Sequence, residues 1–152
     1  MTPKAPIDEL IDAVFISDLH LHPEEKDICE RFNVFIDWAK HSVKRIYILG
    51  DFFHAWPGDD AQDEWSDGIA LKLRDLSTCG IEIFYMSGNR DFLLGNDFAR
   101  RAGLTVLKEP TVISLGDKPV LLVHGDRYCT KDKKHQRFRR LTRNRLFAWL
   151  FL

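Results

Sequence analysis

A chain of 152 residues, 45% hydrophobic and 12% aromatic, can bury one ordinary globular core, and that composition argues against a disordered chain. The formal net charge is −1, the three cysteines (Cys29, Cys79 and Cys129) are too few and too scattered for a disulfide framework, and no apolar run approaches the ~18 residues of a spanning helix. The N-terminus, MTPKAPIDELIDAV, has no basic region leading into an apolar one as a signal peptide would, so the expected compartment is the cytosol.

Apolar, β-rich runs alternate with helical patterns along the chain. AVFIS (13–17) ends at Asp18. The stretch 25–41 carries Ile28, Phe32, Phe35, Ile36 and Ala39 on one stripe and is expected to be a helix. RIYIL (45–49) ends at Gly50 and Asp51, and 61–79, with Trp65, Ile69, Leu73 and Leu76 in helical spacing, is the second helix. IEIFYM (81–86) ends at Gly88 and Asn89; short runs at 104–107 and 111–115 read as strands, and PVLLV (119–123) ends at His124, Gly125 and Asp126. The alternation predicts an α/β fold whose sheet begins as a buried, largely parallel one. Beyond Asp126 the balance of charge turns basic, with Arg127, Lys131, Lys133, Lys134, Arg137, Arg139, Arg140, Arg143 and Arg145 facing only Asp132. Such a segment either attracts an anionic partner (nucleic acid, phosphate or a membrane surface) or is a solvated helix face.

The chemistry lies just past the strands. In open α/β sheets, ligands gather outside the carboxyl ends of strands, so Asp18 and His20, then Asp51, then Asn89, then His124 are expected to converge although they are far apart in sequence. One Asp or His at a strand end is more often a turn residue, but four such ends in order outweigh that reading. Carboxylate, amide and imidazole donors suit divalent ions such as Mn, Fe or Zn, and a set without cysteine is not a structural zinc site.

DLH (18–20), GD (50–51), GNRD (88–91) and HGD (124–126) resemble, in order and spacing, the motifs of the calcineurin-like metallophosphoesterases. The resemblance implies a four-layer α-β-β-α sandwich, of which this chain would be an incomplete N-terminal portion. It also implies two divalent metal ions, most often Mn2+, with Asp18, His20 and Asp51 at one, Asp51, Asn89 and His124 at the other, and Asp51 as the bridge. Many members carry His after the Asn of the third motif, where this chain has Arg90. An arginine keeps its proton and offers a fixed cationic fork to phosphate oxygens, which suits a diphosphate; the plain alternative is a surface arginine paired with Asp91.

The fuller wording SDLHL, GDFFHAWPGDD, SGNRDFLLG and HGDRYCTKD resembles a branch of that family that cleaves the pyrophosphate of a lipid-linked UDP-sugar in lipid A synthesis, releasing UMP. Here the Trp56 to Asp60 block and Cys129-Thr130 are more specific than the metal motifs. Asp51, Asn89, Arg90 and His124 would be catalytic; Asn89, Arg90, Asp132, His135 and Arg137 would contact substrate. Residues 1–126 would form the core, and 127–152 the start of a basic, apolar substrate cap in which Phe138, Leu141, Leu146, Phe147, Trp149 and Leu150 serve acyl chains or packing. The partners implied are the lipid-linked UDP-sugar and an anionic membrane surface, not nucleic acid, and the location is the cytoplasmic face of a bacterial inner membrane. His54 stands where an acidic residue is usual and His135 where an aromatic hydroxyl is common. The family's closing glycine-histidine-threonine-histidine motif does not occur before Leu152, so the chain is expected to be a truncated form and a weak catalyst or none. A generic phosphodiesterase or nucleotide pyrophosphatase, and a non-catalytic scaffold of the same fold, are the alternative readings.

Overall fold

In β2 (Arg45–Ile48), Ile46 and Ile48 turn to one side of the sheet and Tyr47 to the other, the period of two that a strand imposes. A computed structural model describes residues 10–61, 63–128 and 133. β1 (Val14–Ile16), β2, β3 (Glu82–Met86) and β4 (Thr105–Leu107) form one sheet in that order, all parallel. Such a sheet needs a crossover between each pair of strands, and α1 (Lys26–Ser42), α2 (Glu64–Thr78) and α3 (Asn96–Ala102) supply them. Phe32, Ile36 and Ala39 of α1, Ile69, Ala70, Leu73 and Leu76 of α2, and Phe98 and Ala102 of α3 bury against Ile46, Ile48, Ile83 and Tyr85 in one core.

The opposite face packs a second, smaller core. A two-stranded antiparallel sheet, β5 (Thr111–Leu115) and β6 (Lys118–Leu122), sets Ile113, Val120 and Leu122 against Tyr47, Phe84, Met86 and Leu107. Helices, parallel sheet and antiparallel pair are therefore three of the four layers expected of the sandwich, in an α/β fold.

The first two helices lie within a few residues of their expected spans. α2 begins later than its pattern because Asp63 caps it: the Asp63 carboxylate accepts from the Ser66 N–H while the Ser66 hydroxyl accepts from the Asp63 N–H. α3 was not anticipated. Its seven residues are too short for an apolar stripe to stand out, and only Gly103, in the left-handed conformation at its end, marks it locally. Asp132, His135, Arg137 and the apolar run 138–150 lie outside the described residues. Among the described residues no helix is long and apolar enough to cross a membrane.

Candidate metal centre

Beyond their ends, β1 and β2 keep pairing. The Asp18 N–H donates to the Gly50 carbonyl (3.1 Å), that of His20 to Asp51 (2.9 Å), that of Leu21 to Phe52 (2.9 Å), and that of His54 back to Leu21 (3.0 Å). The two loops thus advance side by side, which sets Asp18 and His20 next to Asp51. Asp18, His20 and Asp51 have φ of 55°, 50° and 51°, the non-glycine residues with positive φ among those described. A left-handed carboxylate or imidazole residue is held there only by its surroundings, and such strain gathers at functional sites.

These three side chains offer ligand atoms that lie within 4.8 Å of one another, a group that can hold a divalent ion. Asp51 faces two ways. Its Oδ2 is 3.9 Å from His20 Nε2, and its Oδ1 is 3.7 Å from His124 Nε2. His124 reaches this point from the end of β6, so the second sheet supplies it. His124 Nδ1–H donates to the Leu49 carbonyl at 2.8 Å, which turns Nε2 toward the cluster, 3.2 Å from Asn89 Oδ1. Carboxylate, amide and imidazole ligand atoms of this kind fit a divalent ion, with Asp18, His20 and Asp51 forming the group that can hold one.

Two glycines make the approach possible. A Cβ on Gly50 would sit 2.5 Å from His124 Nδ1, and one on Gly88 would collide with the Asp51 carboxylate and backbone. Gly50 also has φ of 92°, which side chains avoid.

Beneath the cluster lies a carboxylate of opposite character. Asp91 is fully buried, and its oxygens accept from the backbone N–H groups of Asp51 (3.2 Å), Phe52 (2.7 Å) and Gly88 (2.8 Å). Burial pushes its carboxyl above the usual carboxylate range, while the Gly88 and Phe52 hydrogen bonds pull it back. The Tyr85 hydroxyl donates to the Asp91 carbonyl, and burial raises that phenol well above its ordinary value. Asp91 does not pair with Arg90, which overturns the surface-pair reading: Arg90 is exposed and makes no ion pair among the described residues. The Arg90 N–H donates to Asp51 Oδ1 (2.9 Å) and its carbonyl accepts from Trp56 N–H (3.1 Å), so its main chain is pinned while its side chain is left to solvent.

Arg90 and Asn89 line an open cleft of about 690 Å³ whose other walls are Ala55, Trp56, Pro57, Phe92 and Leu93. His54 is exposed, with its ring edge-on to His20 (centroids 6.3 Å apart) and His22 (5.5 Å). The substrate-contact residues Asp132, His135 and Arg137 are among those not described. In the sequence Asp59 stood out only as part of the Trp56 to Asp60 block, with no role, because its partners lie mostly 36 to 39 residues away, and Asp91 only as a neighbour of Arg90.

A family model described as calcineurin-like phosphoesterase matches residues 12–151. The UDP-2,3-diacylglucosamine hydrolase of Pseudomonas aeruginosa is 48% identical over 140 residues, 92% of this chain and 58% of that protein. That of Cellvibrio japonicus is 48% identical over 134 residues (88% and 56%), and that of Pseudomonas putida 47% over 137 (90% and 57%). The chain thus spans a little over half the length of these curated relatives. A solved structure of Pseudomonas putida nuclease MPE overlays with a TM-score of 0.48 and 24% identity, covering 67% of this chain and 50% of that one, too loose a match to bear on the site.

Proposed function

The chain belongs to the calcineurin-like phosphoesterase family, and from that premise we propose that the protein hydrolyses the pyrophosphate bond of UDP-2,3-diacylglucosamine, giving 2,3-diacylglucosamine 1-phosphate and UMP. The observation that carries the reading is Arg90, a pinned backbone with an exposed guanidinium at the mouth of the cleft beside the Asp51 cluster. Identity of 48% to proteins named for that substrate supports it.

In this reading Asp18 and His20 would hold one ion, Asn89 and His124 the other, and Asp51 would serve both. Two divalent ions, Mn2+ in this proposal, would supply Lewis acidity and a water nucleophile at neutral pH. The protein's part is geometric. His124 keeps its ring orientation through Leu49, Asp91 fixes the backbone of Asp51 and Gly88, and Arg90 holds the anhydride oxygens with two parallel N–H groups. The leaving group is itself a phosphate, weakly basic, so a cation that cannot release a proton suffices where other members carry histidine.

The finer elements of the proposal concern the remainder of the chain. Residues 1–126 form the catalytic core, and 127–152 begin a cap in which Asp132, His135 and Arg137 meet substrate. The basic residues there rest on an anionic leaflet at the cytoplasmic face of the inner membrane, each contributing ~1 kcal/mol near the surface. Nucleic acid has no part.

The test is an assay of the protein at its full encoded length, with Mn2+, on UDP-2,3-diacylglucosamine beside bis(p-nitrophenyl) phosphate. Release of UMP with a strong preference for the lipid-linked substrate is expected. Equal turnover of both would favour a generic phosphodiesterase, and failure to bind metal a scaffold.

A further inference from the structure

The loop after β2 and the loop after β3 bring Asp51 and Asn89 to the site, and a carboxylate ties them together near each end. Asp91 ties them beneath the cluster. At the far end the tie is Asp59, a half-buried carboxylate of the Trp56 to Asp60 block. Its Oδ1 accepts from Trp56 Nε1–H (3.0 Å) and Gly95 N–H (3.0 Å), and its Oδ2 from the N–H groups of Asp97 and Phe98 (2.9 Å each). Trp56 carries the link onward. Its ring is buried, stacked on Phe53 with centroids 4.6 Å apart and edge-on to Phe98 at 4.9 Å, and its own N–H donates to the Arg90 carbonyl.

We propose that Asp59 is a positioning residue for Arg90: by clamping Trp56 to the start of α3 it fixes where the Arg90 backbone sits, and thereby where the guanidinium meets a diphosphate. The inference rests on the diphosphate reading above. Its physical basis is the division of labour between the two carboxylates. Asp91 contacts the backbone of Asp51 and so governs the metal cluster. The four hydrogen bonds of Asp59 go instead to Trp56 and to the start of α3, and Trp56 in turn donates to the Arg90 carbonyl. Loosening Asp59 therefore shifts the cleft wall while Asp91 holds the ligands in place. Replacement by asparagine suits the question, because an amide keeps the shape but offers one acceptor oxygen and turns an N–H2 toward two donors.

The experiment uses the full-length protein with Asp59→Asn, Arg90→Ala and the double variant, and with Asp63→Ala as a control that weakens the cap of α2 without touching this clamp. Metal content, kcat and KM are measured on UDP-2,3-diacylglucosamine and on bis(p-nitrophenyl) phosphate, which has no second phosphate for Arg90 to hold. A displacement of about an ångström in a positioning group costs up to ~100-fold, so Asp59→Asn is expected to lose roughly 10-fold or more in kcat/KM on the diphosphate. The loss on the single-phosphorus ester should be several times smaller, metal content should match the unsubstituted protein, and the change should add less than about twofold once Arg90 is alanine. Asp63→Ala should leave the ratio between the two substrates as it was. Equal losses on both substrates, or the same loss with and without Arg90, would make Asp59 a structural tie alone and overturn the proposal. Absence of diphosphate turnover in the unsubstituted protein overturns the functional reading itself, and is seen before any variant is compared.

Discussion

Asp51 and Asp91 lie within one hydrogen bond of each other and are both buried, yet their surroundings are opposites. Asp51 takes one backbone N–H, that of Arg90, and otherwise faces side chains that can bind a metal, with His20 on one side and His124 on the other. Around Asp91 three backbone N–H groups converge on one carboxylate. A group of metal-ligand side chains is suited to a cation; a carboxylate surrounded by backbone donors is complete and holds the chain in place. Residue type and burial are shared, so what separates ligand from scaffold is the sign of the groups facing it.

Asp51→Ala should break the first half of this contrast most severely. If Asp51 serves two ions as proposed, both are expected to be lost, and activity should fall by more than the ~10–100-fold that changes behind the ligands cost. Asn89→Ala should weaken one ion only. Elemental analysis checks both, and an Asp51→Ala protein that retains two tightly held metals would remove the dinuclear assignment.

Asp91→Ala tests the second half. It leaves three enclosed N–H groups without an acceptor, at about 1–3 kcal/mol each, so stability is expected to drop by roughly 3 kcal/mol or more in denaturant titrations. The pH dependence has a definite sign. Because the folded-state pKa of Asp91 is raised above 3.8, its protonation favours the folded chain, a contribution complete below 3.8 and lost as pH rises through the raised value. The stability of the unsubstituted protein relative to Asp91→Asn should therefore decline from acid toward neutral pH, and a gap that widens instead would contradict the burial argument.

Arg90→Lys keeps the charge but loses the planar fork. Turnover of the diphosphate should fall about 10-fold, with metal content unchanged. Identical kinetics for the wild type, Arg90→Lys and Arg90→Ala would mean that Arg90 does not touch the substrate.

The smallest effect belongs to Asp63, a third carboxylate and the mirror of Asp91. The Ser66 backbone and side-chain hydrogen bonds hold Asp63 below its usual range. Asp63→Ala should cost about 1 kcal/mol at neutral pH. Here the contribution is present above 3.8 and fades as pH falls through the lowered value, the reverse of Asp91. Thermal melts of the two variants across acid pH would show the opposite slopes.

The sequence by itself determined the strands and the two long helices, because apolar periodicity is local and records which faces must be buried. It also placed the chemistry: Asp18, His20, Asp51, Asn89 and His124 each follow an apolar run, and the ends of parallel strands meet on one side of a sheet. Three things were decided only in tertiary structure. His124 enters from an antiparallel pair across the sheet, so its meeting with Asn89 depends on how two sheets pack. α3 is held at its start by Asp59 from the other loop, a cap with no signal in the seven residues it serves. Asp91 and Arg90 are neighbours in the chain with opposite fates, one enclosed by donors and one left at the mouth of the cleft. No local pattern distinguishes them, because what a carboxylate or guanidinium does depends on the groups that distant segments bring to face it.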